Sequence, residues 1–151
     1  QAGQTVLIRA ASSSVGLAAI QIVNALGATP VALTRRSAKR DELLKHGAAH
    51  VIATEEQDLV AEVNRITEGK GANVAFDPVG GPEVAKILDA LGYLGIFFQY
   101  GALDTAPLAV PVMTMIGREA LPQGSVDEEL LLEAESLAAA AMRVDPASDE
   151  D

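Results

Sequence analysis

The sequence predicts an α/β chain built on a doubly wound parallel sheet of five to six strands, followed by a C-terminal helix. Three observations carry this. Short β-rich runs alternate with helical stretches from Thr5 to about Tyr100, glycine, proline or a polar cap marks each junction, and the strand runs are continuously apolar. Runs such as Val6, Leu7 and Ile8, or Ile96, Phe97 and Phe98, fit strands covered by helices on both faces. Ligands of such sheets bind at the C-terminal ends of the strands.

Residues 5–9 read as the first strand and 15–26 as a helix, closed by Gly27 where a left-handed C-cap is favoured. A second strand spans 31–34. Ser37 can cap a helix over 38–45, which Gly47 ends ahead of a third strand at 51–53. Within 58–66, Leu59, Val63 and Ile66 fall at spacings of four and three and line one helix face. Residues 74–76 form a fourth strand, Pro82 opens a helix running to about Leu91, and 95–100 are the fifth strand. Residues 108–116 are apolar enough for a buried helix or a strand, but Pro107 and Pro111 oppose a regular helix through the run. Strong helix formers over 128–142 predict a terminal helix, and the last residues are expected to fray. The resulting division is a sheet domain over 1–125, an acidic helix over 126–144 and a tail over 145–151.

A chain of 151 residues with 49% hydrophobic side chains can bury a real core, which excludes disorder throughout. No apolar run approaches the about 18 residues that a bilayer span needs, and no basic, apolar leader opens the chain, so a soluble, cytoplasmic protein without membrane partners is expected. Zero cysteines exclude a disulfide framework, a thiol nucleophile and thiolate metal ligation. The net charge of -10 repels phosphate backbones and argues against nucleic acid. It is unevenly placed: residues 1–118 hold 11 acids and 10 bases, whereas 119–151 hold 10 acids and one base, Arg143. The body is nearly neutral and the end is an acidic appendage.

The turn over 10–16 joins a strand to a helix, where a doubly wound fold binds phosphate on backbone N–H groups at the positive end of the helix dipole. Against the pattern G-x-G-x-x-G the glycine positions read Ala11, Ser13 and Gly16, so only the one that permits close helix-to-strand packing is kept. Small residues still allow close approach, and Ser12, Ser13 and Ser14 add hydroxyls. The alternative is a serine-rich helix start that binds nothing. At the end of the second strand, where an NAD site offers a carboxylate, this chain has Thr34, Arg35, Arg36, Lys39 and Arg40. Four cations there suit an adenosine 2′-phosphate and favour NADP(H) over NAD(H). A solvated basic helix start is the other reading, although cations at a helix N-terminus oppose its dipole and invite a counter-anion.

These segments together, with Gly3 to Ile8, the Ser13 to Gly16 turn, Gly27 and Ala28, Lys45 to Val51 and Phe76 to Gly81, resemble the cofactor domain of the medium-chain dehydrogenase/reductase superfamily. The likeness covers about residues 2–118 and is strongest to the zinc-free quinone oxidoreductase-like branch and to zinc-type alcohol dehydrogenase-like chains. It implies a Rossmann domain that serves hydride transfer from NADPH to a quinone, an enone or a carbonyl. It also implies that Ser13, Ser14 and Val15 meet the pyrophosphate, and that Arg35 and Lys39 lie near the 2′-phosphate; Gly16, Thr34 and Arg36 complete the expected cofactor-binding set. Asp77, Pro78 and Val79 would approach the cofactor ribose, and Tyr100, Gly101 and Ala102 the nicotinamide end. Without the resemblance, Asp77 and Pro78 read as an Asx-capped turn and Tyr100 as a half-buried aromatic.

The family's catalytic domain is not in this sequence, so the chain alone is expected to bind cofactor without efficient turnover. Residues 120–124 stand where the family's sixth strand forms, and Pro122 removes a ladder donor, which damages the edge through which such domains pair as homodimers. His46 and His50 have ordinary structural roles and no third ligand at metal spacing, so no metal is expected. A non-catalytic interaction module that keeps the fold and binds a partner through its acidic helix is the competing function.

Overall fold

The computed structural model describes residues 1–110 and Met113. Its elements follow in strict alternation: β1 (Thr5–Ile8), α1 (Ser14–Ala25), β2 (Thr29–Thr34), a 3₁₀ turn (Ser37–Lys39), α2 (Arg40–Lys45), β3 (His50–Ala53), α3 (Leu59–Ile66), β4 (Ala72–Asp77), α4 (Val84–Ala90) and β5 (Leu91–Gln99). The five strands form one parallel sheet in the order β3-β2-β1-β4-β5. The chain therefore grows outward from β1 to β3, then returns to place β4 on the other side of β1. The point where the direction reverses, between β1 and β4, leaves a crevice at the strand C-termini.

Successive side chains of each strand enter opposite cores. Leu7, Val31, Leu33, Ile52 and Ala75 pack with Leu59 and Val63 of α3 and Ile87 of α4. Ile8, Ala32, Val51 and Phe76 pack with Ala19, Ile20 and Val23 of α1 and Leu43 of α2. Two apolar faces on one sheet explain why the strand sequences do not alternate. Ser13 caps α1 by accepting from the Gly16 N–H at 3.1 Å, and Asp58 caps α3 by accepting from the Ala61 N–H at 2.8 Å. Gly27, with φ +71°, ends α1 in the left-handed conformation.

Two elements differ from the sequence reading. Ser37 does not cap α2; it opens the 3₁₀ turn, and its backbone N–H donates to Glu56 Oε1 at 3.1 Å. β5 begins at Leu91, directly after α4, with Leu91 opposite Ala72 and Ile96 opposite Val74. The segment between them bulges out and exposes Tyr93 and Leu94, so the regular ladder starts only at Ile96. Among the described residues no helix is long and apolar enough to cross a membrane. Residues 120–124, which stand where the family's sixth strand forms, the acidic helix expected over 126–144 and the tail over 145–151 lie outside the described residues.

Candidate functional site

A cleft of about 1000 Å³ opens at the C-terminal edge of the sheet. Arg9, Ala10 and Ser12 line it from the end of β1, Thr34 and Arg35 from β2, Thr54 and Glu55 from β3, and Val79 from the turn after β4. Lys86 and Ile87 of α4 and Leu103 and Asp104 beyond β5 complete the wall. The volume matches small-molecule sites, which run from about 300 to about 1000 Å³.

The turn after β1 is built by its own hydrogen bonds. Ala10 adopts φ +52°, a left-handed conformation that costs a non-glycine residue about 1 kcal/mol. Its carbonyl accepts from both the N–H and the hydroxyl of Ser13, at 3.0 and 2.8 Å. The left-handed residue is thus Ala10, one position before Ala11, the residue aligned with the first fingerprint glycine. Gly16 sits against this backbone: a Cβ there would lie 2.5 Å from the Ala10 carbonyl oxygen. Only glycine lets α1 approach β1 so closely. Ser13 spends its hydroxyl on the cap, while the N–H groups of Ser14 and Val15 donate to no acceptor among the described residues. They stand at the positive end of a 12-residue helix.

The end of β4 is closed differently. Asp77 is fully buried, and its Oδ1 accepts from the N–H groups of Val79 at 2.7 Å and Gly80 at 3.2 Å, an Asx turn. Its Oδ2 lies 3.0 Å from Arg9 Nη1, which also donates to the Gly80 carbonyl at 2.7 Å. Both oxygens of Asp77 are thus engaged in holding the turn after β4. Pro78 lies under the chain beyond β5, its carbonyl accepting from the Leu103 N–H at 3.1 Å. Tyr100 stacks on Phe76 at 4.0 Å between ring centres, and its buried hydroxyl has no hydrogen-bond partner among the described residues. Burial, and then the charge of Asp77, push this phenol up to about 12.

The basic run after β2 is partly neutralised from within. Arg36 Nε lies 2.9 Å from Glu55 Oε2, Lys39 Nζ 3.0 Å from Glu42 Oε2, and Arg40 donates to Gln57 Oε1 at 3.0 Å. The hydrogen bond and charge of Glu55 raise the Arg36 pKa, and the bond from the Ser37 N–H lowers that of Glu56. The counter-anions that the exposed cations invite are thus supplied by residues 42 and 55. Arg35 differs: it is exposed, lines the cleft, and has no ion-pair partner among the described residues.

Of the residues singled out in the sequence, Thr34, Arg35 and Val79 line the cleft. Ser13, Ser14, Val15 and Gly16 form the helix start beside it, with Ser12 and Ala10 reaching the wall instead. Arg36, Lys39, Asp77, Pro78, Tyr100, Gly101 and Ala102 are not part of that wall. Sequence reasoning missed Arg9 and Glu55. Arg9 left a signal, as a charge directly after the apolar run of β1, and Glu55 a weaker one, since Thr54 separates it from the run of β3.

A parallel sheet of this order, with a free helix start at its reversal point, defines a dinucleotide-binding domain of the Rossmann class. A family model described as zinc-binding dehydrogenase matches residues 14–127, and the chain belongs to that family, within the medium-chain dehydrogenase/reductase superfamily. It is 34% identical over 116 residues to a probable quinone oxidoreductase of Schizosaccharomyces pombe, covering 77% of this chain and 35% of the relative. To quinone oxidoreductase 1 of Escherichia coli it is 38% identical over 95 residues, covering 63% of this chain and 29% of the relative. The crystal structure of Escherichia coli quinone oxidoreductase complexed with NADPH superposes with a TM-score of 0.71 at 31% identity, over 97% of this chain and 49% of that one. The chain thus spans about a third of the length of the curated relatives. Among the described residues no group of three or more His, Asp or Glu side chains is placed to hold a metal ion.

Proposed function

We propose that the chain is the NADP(H)-binding domain of an oxidoreductase that reduces a quinone, an enone or a carbonyl. One observation carries the reading: Arg35, the cleft cation without a carboxylate partner among the described residues, stands at the β2 end where this fold places the adenosine ribose. The other cations of the wall are committed, Arg9 to Asp77 and Lys86 to Glu83.

The residues present fit such a cofactor. The N–H groups of Ser14 and Val15, which have no acceptor among the described residues, suit a diphosphate, and Ser12 is exposed beside them. Arg35 supplies a planar guanidinium for a 2′-phosphate, and Thr34 lines the cleft beside it. When bound, the cofactor supplies hydride; the domain's residues bind it, orient it and exclude water.

The test is a calorimetric titration of the chain with NADPH and NADH. Arg35→Glu is expected to weaken NADPH by about tenfold or more, the effect of losing one charge-assisted contact, and NADH by about threefold or less. Equal losses would remove the 2′-phosphate assignment. Absence of saturable binding at about millimolar cofactor, roughly a 4 kcal/mol interaction, would remove the reading as a whole and favour a non-catalytic module.

A further inference from the structure

The β2/β3 rim of the cleft holds a carboxylate that an NADP(H) site does not call for. Glu55 lines the same wall as Thr34 and Arg35, its N–H donates to the Arg35 carbonyl at 3.0 Å, and its Oε2 lies 2.9 Å from Arg36 Nε. The backbone bond fixes Glu55 beside the exposed guanidinium of Arg35, and the ion pair withdraws the second guanidinium from the cleft. Glu56 adds a second negative charge at the rim and is held by the Ser37 N–H at 3.1 Å. Arg40 is engaged by Gln57. The charge of Arg36 is therefore balanced by Glu55 before any ligand arrives, whereas Arg35 keeps its charge for the cleft.

We propose that Glu55 sets how strongly this cleft discriminates between adenosine ligands with and without a 2′-phosphate, by competing with that phosphate for Arg36. The inference rests on the adenine-dinucleotide reading of the cleft. A phosphate and a carboxylate both match the fork of a guanidinium, so the incoming group and Glu55 seek the same donors. A phosphate monoester brings a charge of about -1.5 to -2 next to Glu55, which either turns away or repels it. Turning away is feasible here because Arg36 and Glu55 are 77% and 47% exposed, and an exposed pair is held weakly. A ligand with a free 2′-hydroxyl meets no such conflict, since the carboxylate can accept its O–H. Glu55 thus pulls the site toward the hydroxyl form while Arg35 pulls toward the phosphate. The preference for the phosphorylated ligand is narrower than four basic residues in sequence imply.

The experiment titrates wild type and Glu55→Gln, as the full chain, with adenosine 2′,5′-bisphosphate and with adenosine 5′-monophosphate by calorimetry. Glu55→Gln is expected to tighten the bisphosphate about three- to fivefold, the scale of one exposed charge pair, and to leave the monophosphate within about twofold. Glu55→Asp, which keeps the charge, should stay near wild type. An equal gain for both ligands, or none for the bisphosphate, overturns the role of Glu55 while the cleft assignment stands. If neither ligand binds wild type, the cleft assignment fails and this inference falls with it.

Discussion

At the β1/β4 end of the cleft Arg9 and Asp77 meet at 3.0 Å with 18% and 0% of their side chains exposed, whereas at the β2/β3 end Arg36 and Glu55 meet at 2.9 Å and remain 77% and 47% exposed. The distances are nearly equal and the roles are opposite. Asp77 is bound on both oxygens, to one guanidinium and two backbone N–H groups, so no ligand can recruit it without dismantling the turn after β4. Glu55 and Arg36 surrender little when they part, because water solvates both. A buried pair fixes backbone, and an exposed pair is a reserve of charge that a ligand can draw on.

That contrast can be broken most sharply at Asp77. Asp77→Asn leaves Arg9 without its counter-charge, and we expect a loss of about 3 kcal/mol or more in urea unfolding, the scale of a broken buried pair. A loss below about 1 kcal/mol would show that the two ends of the cleft do not differ in kind.

Tyr100 sharpens the comparison through pH. Its hydroxyl is buried beside Asp77 and its pKa is pushed up from 10.0 to about 12. Below pH 10 the phenol is protonated in folded and unfolded chains alike. Between pH 10 and about pH 12 the unfolded chain gives up this proton and the folded chain keeps it, so stability falls as pH rises through that window. The loss is expected to reach about 1 kcal/mol one unit into the window and about twice that at its end. Tyr100→Phe should remove this component, seen as a flatter decline between pH 10 and about pH 12 than in wild type. Equal declines in both proteins would place the hydroxyl in contact with water.

The smallest effect is expected at the open end. Arg36→Gln should change stability by no more than about 0.5 kcal/mol in the same unfolding assay. A loss comparable to that of Asp77→Asn would mean that the Arg36–Glu55 bridge holds β2 to β3, and would leave Arg36 unavailable to any ligand.

Hydrophobic runs, glycine positions and caps were enough to predict the doubly wound sheet, because each reflects a local requirement. Val6, Leu7 and Ile8 must be covered on both faces, Gly27 must turn left-handed, and Gly16 must leave space for a neighbouring backbone. The cleft's position followed, since strand C-termini in such a sheet share one edge. What the sequence could not determine is which charges stay free. Arg9 and Asp77 are 68 residues apart, and Arg36 and Glu55 are 19 apart, so each pairing exists only because strand order brings those loops together. Four basic residues after β2 look equivalent along the chain. Only the folded arrangement engages Arg36, Lys39 and Arg40 with side chains of their own protein and leaves Arg35 facing the cleft, because electrostatic partnership depends on distance through space.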